Sequence, residues 1–373
     1  MSGKISLPIE NRADIHTGIH TDIREQYGHY LHHKAVFLVF LLLLLIIFSL
    51  VAIGIGSLRV SPWEVLLSLL KRTSDLNAQV VVQVRLPRVL LGISAGAALG
   101  VSGCVMQAVL HNPMASASTL GISQGAAFGA SFAIVVLGAG NMKSYGADTL
   151  SITNPYLVSI CAFAVAMITT LIIMYFSKRR QATAESMILA GVAIASILTG
   201  GTTLLQYFAD DIQLAAVVYW TFGDLGRGSW MELKIISTVA IAIFVYFYYN
   251  RWAYNALDSG ESTAKTLGIR VASVRTIGLA FCALLTATVV SFVGIISFVG
   301  LVGPHLVRRF IGTDHRYLLP ASALAGACLL VISDTIARTV LAPIILPVGA
   351  ITSFIGGPMF LYLLFRGGKK YGS

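Results

Sequence analysis

Charge is what this sequence has least of: Asp, Glu, Lys and Arg make up 11% of its 373 residues, against roughly a quarter in soluble domains. With 56% of the chain hydrophobic and a mean hydropathy of +0.82, a soluble globular fold is excluded, and little remains for a separate soluble domain. Cysteine is sparse as well. Cys104, Cys161, Cys282 and Cys328 all fall inside apolar stretches without Cys-x-x-Cys spacing, and read as packing residues, not as disulfides or metal ligands. The phosphate-binding pattern G-x-x-x-x-G-K-[ST] is missing, because Gly367-Gly368-Lys369-Lys370 lacks its first glycine and its hydroxyl. Nothing in the chain can therefore hydrolyse ATP. His-Glu-x-x-His, paired intramembrane carboxylates and a nucleophilic serine motif are also missing, which counts against a membrane enzyme. No cofactor and no metal site is expected in this chain.

What the sequence has in abundance is long apolar runs. Crossing the hydrocarbon takes about 20 mostly apolar residues, and ten such segments can be cut, at about 35–56, 89–109, 118–139, 155–176, 187–207, 232–249, 276–293, 295–310, 319–340 and 347–365. The breaks between them are of the usual kind: Asn112-Pro113, Asn154-Pro155, Gly223 to Gly228, Gly303-Pro304, Pro343 and Pro347. The expected fold is thus all-α and integral to the membrane, with about ten transmembrane helices. Residues 1–34 read as a disordered cytoplasmic tail, 35–366 as the transmembrane domain, and 367–373 as a second cytoplasmic tail. The leader is too long and too acidic for a secretory signal, so the first apolar run is expected to be kept as a helix.

The formal charge of +10 would point to nucleic acid in a soluble protein; here it serves orientation, and no nucleic-acid partner is expected. Ten helices place both termini on one side. That side carries 17 of the 26 basic residues, among them Lys178, Arg179 and Arg180, so both termini are assigned to the cytoplasm of a cell-membrane protein. The N-terminal tail holds His16, His20, His29, His32 and His33, without the carboxylate or cysteine pattern a metal site would need.

Four local patterns stand out. Gly92, Gly96 and Gly100, with Gly103 close by, repeat at four-residue spacing and suit close helix packing. Arg85-Leu-Pro-Arg88 precedes the second helix on the outer side, where its arginines either snorkel to the interface or dock an acidic partner. Asp334 and Arg338, at i and i+4, can pair within one helix. On the inner side, 257–275 holds Glu261, Ala264, Leu267 and Gly268, either as a surface loop or as two short helices across a Gly268 turn that a soluble partner could push.

These residues carry a resemblance. Arg85-Leu-Pro-Arg88, Ser102-Gly103 with Met106-Gln107, Asn112-Pro113-Met114-Ala115, Gly260-Glu261 with Leu267-Gly268, Gly294 to Leu301, Pro304-His305, Asp314-His315-Arg316, Asp334 with Arg338, and Gly357-Pro358 follow one another as in the FecCD-type permeases of type II ABC importers. The likeness covers about 36–367, with Ala117 where the family usually has proline. It implies a membrane subunit that imports an iron complex such as a siderophore or haem, or alternatively vitamin B12. It also implies the partners: a second copy of the chain, two ATPase subunits holding ATP and Mg on the cytoplasmic side, and an extracytoplasmic substrate-binding protein. Arg85, Arg88 and Arg338 would receive that protein's acidic residues, with Asp334 in support; Glu261, Ala264, Leu267 and Gly268 would form the coupling segment in an ATPase cleft. The rival from another class is an ion-driven transporter. The scarcity of ionisable groups inside the spans counts against it.

Overall fold

The structure, a computed structural model, describes residues 9–55, 79–139, 154–180 and 183–367. Among the described residues its regular secondary structure is entirely helical. The first helix is α1 (Ile9–Gly54). A π-helical turn over Val81–Arg85 then leads into α2 (Leu86–Val109). Next come α3 (Ile122–Val135), α4 (Pro155–Arg180) and α5 (Ala184–Phe208), then α6 (Asp211–Thr221) and α7 (Trp230–Tyr249). The inner segment contributes α8 (Arg251–Asp258) and α9 (Glu261–Thr266). The chain ends with α10 (Val271–Val293), α11 (Val299–Ile311), α12 (His315–Thr339) and α13 (Val348–Gly367).

Among the described residues, seven helices are long and apolar enough to cross a membrane, and α3 and α13 are shorter apolar helices. With the 13-residue α11 they account for the ten expected segments, and the chain is a multi-pass membrane protein. Several bounds differ from expectation for local reasons. Gly121, at φ 72°, stops helical structure between 110 and 121, so α3 begins at Ile122 and not near 118. Phe298 takes a left-handed φ of 65°, which sets the start of α11 at Val299 and not near 295. The polar leader, expected to be disordered, is helical from Ile9 in continuity with the apolar run. Once an apolar helix is nucleated, each further residue adds one hydrogen bond at little cost. The tail beyond Gly367 lies outside the described residues.

One helix was not expected at all. At 11 residues α6 is too short to span, and it opens with a capping box in which Asp210 accepts from the Gln213 N–H and the Gln213 side chain accepts from the Asp210 N–H. At the head of α2, the π turn follows from Pro87. Proline has no N–H, so the bond to Gln83 is lost and the backbone loosens, the Leu86 N–H reaching back to the Val81 carbonyl instead.

The centre of the molecule is α2 against α12. A Cβ on Gly96 would lie 2.5 Å from the Gly326 carbonyl oxygen and 2.8 Å from the Ala327 Cα, and one on Gly100 would overlap the Ser322 carbonyl. Here the two backbones touch, as the glycine spacing predicts. Gly103 serves a different neighbour, the Gly300 backbone of α11, while Gly92 faces the side chains of Leu225 and Val331 and not a helix backbone. Cys104, Cys282 and Cys328 are buried, Cys161 is half-buried and all four are free, in line with a packing role.

Candidate functional site

The first turn of α2 and the last turn of α12 meet at one end of this central pair. Arg88 reaches across to Asp334: its Nε donates to Oδ1 at 3.0 Å and its Nη2 to the same oxygen at 2.8 Å. The expected i,i+4 pair is also present, Arg338 Nε donating to Asp334 Oδ2 at 3.0 Å. A fourth member comes from the loop after α6, where Asp224 Oδ1 accepts from Arg88 Nη2 at 3.1 Å and from the Gly226 N–H at 2.8 Å. The Arg88 and Asp334 side chains are only 10% and 3% exposed, against 21% for Asp224, so the one contact of the cluster that opens outward is Arg88 with Asp224.

Three arginines face two carboxylates here, and helix α1 supplies the remaining negative potential. Arg85 Nη1 donates to the Ile53 and Gly54 carbonyls at 2.9 and 3.2 Å. Arg338 donates to Ala52 and Ile55 at 3.1 and 3.2 Å. The last carbonyls of a helix have no partner inside it and carry the negative end of its dipole; two guanidiniums from other helices cap them. The arginines expected to receive a partner's acidic residues therefore also have acceptors within the chain. Arg85 is 5% exposed and Arg88 8%, because each has found acceptors within the chain. Asp334 joins two arginines and is central to the cluster.

At the other end, the inner segment is ordered as two short helices. The break between them is at Gly260, with φ 106°, while Gly268, with φ 80°, ends the second helix and turns the chain into α10. Ala264 is fully buried and Leu267 is 66% exposed: the first anchors the segment and the second faces outward. Glu261 pairs with Arg275 and lies 3.8 Å from Lys265. The hydrogen bond from Arg275 holds its carboxyl below the usual carboxylate range. Arg275 Nε also donates to the carbonyl of Val109, the last residue of α2, at 3.0 Å. On α8, Asn255 bonds Asp314 and His315 at the start of α12, and burial pushes the neighbouring Asp258 carboxyl up. From Asp314 to Asp334 the helix runs 20 residues, about 30 Å at 1.5 Å per residue, which is the thickness of the hydrocarbon core.

The match to the FecCD transport family runs over residues 41–366, nearly the whole chain. The chain belongs to the FecCD transport family. This FecCD protein is the membrane-spanning permease subunit of a type II ABC importer, a family that works with ATPase and substrate-binding partners. It is 50% identical over 349 residues to an ABC transporter permease protein of Methanocaldococcus jannaschii, covering 94% of this chain and 99% of that one. It is 37% identical over 330 residues to the hemin transport system permease protein HmuU of Yersinia pestis, covering 88% and 94%. To the vitamin B12 import system permease protein BtuC of Escherichia coli it is 36% identical over 293 residues, covering 78% and 84%. Among solved structures, a metal-chelate type ABC transporter in an inward-facing conformation matches with a TM-score of 0.76 at 29% identity, covering 88% of this chain and 98% of that one.

Two cavities of the FecCD permease differ widely in size. The serine-lined void among Ser102, Ser116, Ser123, Thr286 and Ser297 is about 30 Å³, room for about one water. At the inner end, a cavity of about 470 Å³ opens between His111 after α2, Glu185 at the head of α5, and Glu261 with Arg275. Asp224, Asn255 and Arg275 were not singled out from the sequence. Each is one polar residue in an ordinary loop or helix, and only the fold brings it to its partner.

Proposed function

We propose that this permease imports an iron complex, haem or a ferric siderophore, delivered by a substrate-binding protein, and that it works as two copies with two ATPase subunits on the cytoplasmic side. The observation that carries the reading is that one helix pair presents an arginine–carboxylate cluster at one face and a polar two-helix segment at the other, about 30 Å apart. The hemin permease relative, aligned over 88% of the chain, supports the substrate. The B12 permease relative, at 36% identity, favours corrinoid as the second reading.

The two-copy assembly has a physical argument. Ligand sites for chelate-sized molecules occupy about 300–1,000 Å³; the serine-lined void is about 30 Å³, and the cavity of about 470 Å³ lies at the inner end beside Glu261 and Arg275. In α5, only 6% of the apolar window is buried within the chain, and Leu189, Ile197 and Leu204 stand exposed. A second copy set against such a face would both cover it and enclose a pathway of the required size. For the ATPase, the exposed Leu267 and the partly exposed Glu261 offer the contact. For the binding protein, the outer arginines act by exchange: a partner carboxylate replaces Asp224 on Arg88, while Arg85 and Arg338 keep the α1 end in place.

Reconstitution of the permease with its ATPase and binding protein in liposomes tests this reading. Uptake of haem or ferric siderophore that is vanadate-sensitive is the expected result. Cobalamin uptake in its place would shift the substrate to corrinoid. Uptake abolished by collapsing ion gradients at constant ATP would overturn the ATP-driven reading altogether.

A further inference from the structure

The inner segment has a residue whose side chain is turned away from any partner and toward the membrane helices. Asn255, on α8, uses both ends of its carboxamide: Nδ2 donates to Asp314 Oδ1 at 3.0 Å, and Oδ1 accepts from the His315 backbone N–H at 2.7 Å. A carboxylate only accepts and a backbone N–H only donates, so the orientation of the amide is unique. The first N–H groups of a helix have no partner within it. At the start of α12 that need is divided, Asp314 taking the N–H of Arg316 at 3.0 Å and Asn255 taking that of His315. A residue of the inner segment thus completes the cap of a membrane-crossing helix. His315 is fully buried, with the Tyr254 ring 5.7 Å from its own, so water does not easily replace the contact.

A second tie runs parallel to the first. Arg275 holds Glu261 of α9 and donates to the last carbonyl of α2 at 3.0 Å. The inner segment is therefore bound to both members of the central pair, α12 through Asn255 and α2 through Arg275. Those two helices touch backbone to backbone at Gly96, Gly100 and Gly326, and the Arg88–Asp334 bonds clamp their outer ends. A displacement of α8 acts on the pair as one body.

We infer that Asn255 is the positioning residue that transmits movement of the inner segment to α12, and through it to the outer cluster, without itself touching ATPase or substrate. This rests on the permease reading given above. The test uses the complete transporter in proteoliposomes and reads two quantities: ATP hydrolysed per substrate imported, and binding-protein affinity with and without a non-hydrolysable nucleotide. Asn255→Ala is expected to leave ATPase association and nucleotide-free binding-protein affinity at wild-type values. It should raise the ATP cost per import and shrink the nucleotide-dependent affinity change, which is on the order of 5–150-fold for linked sites, towards one. Asn255→Asp keeps the size and the acceptor for His315 but cannot donate to Asp314, and serves if the alanine variant does not fold. Combined with Asp314→Ala, the loss of coupling should be less than additive. Wild-type coupling in Asn255→Asp, full additivity in the cycle, or a lower yield of complex whose assembled fraction couples normally would each overturn the inference. A wild-type complex without ATP-driven uptake would overturn the permease reading instead.

Discussion

Replacing Asp334 with asparagine keeps the size of the side chain and removes one charge from the middle of the outer cluster. Four hydrogen bonds reach this carboxylate, three from Arg88 and one from Arg338. Asparagine has a single acceptor oxygen, and its NH2 would face a guanidinium donor, so at least one bond becomes a donor–donor contact. Removing one partner of a buried ion pair costs about 3–5 kcal/mol. Asp224 and the α1 carbonyls stay in place and bring the expectation to the low end, about 3 kcal/mol, or on the order of a hundredfold in the folding equilibrium. The chain carries its own reporter, since Cys104, Cys282 and Cys328 are buried free thiols that react with a maleimide dye only as the protein opens. The thiol-exposure midpoint of purified Asp334→Asn in detergent should fall by about 5 °C or more. Arg338→Glu should fall further, because it sets a second carboxylate beside Asp334 and uncaps α1. A midpoint for Asp334→Asn within about 1 °C of wild type would refute the claim that the cluster is a buried, paired unit. Stable Arg338→Glu protein that only binds the partner less well would show that Arg338 docks the partner and does not hold the α1 end.

The remaining predictions concern the central pair and the inner segment. Gly96→Ala places a methyl against the Gly326 carbonyl and should cost about 1–3 kcal/mol by overpacking, read by the same thiol assay, whereas Gly200→Ala, with nothing near its Cβ, should change little. Gly268 has open space around it but a φ of 80°, so Gly268→Ala should cost about 1–2 kcal/mol of backbone strain alone and Gly268→Asn less, which amide exchange across 260–270 would show. The depressed Glu261 carboxyl stabilises its contact with Arg275 above the ordinary carboxylate pKa and loses that contribution as pH falls through the folded value. Exchange of the segment should accelerate only below about pH 4, and Glu261→Gln should remove that step. Burial raises the Asp258 carboxyl, which has the opposite sign: stability is lost as pH rises from the ordinary carboxylate value to the raised one, so Asp258→Asn should raise the midpoint at neutral pH and leave it unchanged in acid.

The ten apolar segments were legible because membrane spans are long and the sequence supplies few charges to interrupt them. Their ends were less so, since Gly121 and Phe298 set them through left-handed φ values that composition does not announce. Helix α6 escaped notice for a different reason: at 11 residues it falls below any span length, although the Asp210–Gln213 capping box was there to be read. The glycine repeat predicts close packing, yet only Gly96 and Gly100 meet the α12 backbone, because Gly92 faces side chains and Gly103 the backbone of α11. At the outer cluster the residues were evident and their state was not. Arg88 and Asp334 stand 246 residues apart in sequence, and α1 ends against arginines from two other helices; neither closeness can be read from spacing. The inner segment was visible as polar chain among spans, but its joint fell at Gly260, eight residues before the glycine expected to form it.

The glycine contact between α2 and α12 also bears on where motion can occur. Side chains that interdigitate can slip by changing rotamer; two backbones in contact have no such freedom, and sliding one past the other would drive carbonyls into Cα atoms. The pair is thus a rigid rod, stiff enough to pass on a push without absorbing it. Helices buried little within one chain, α5 above all, are the parts whose setting depends on a second copy.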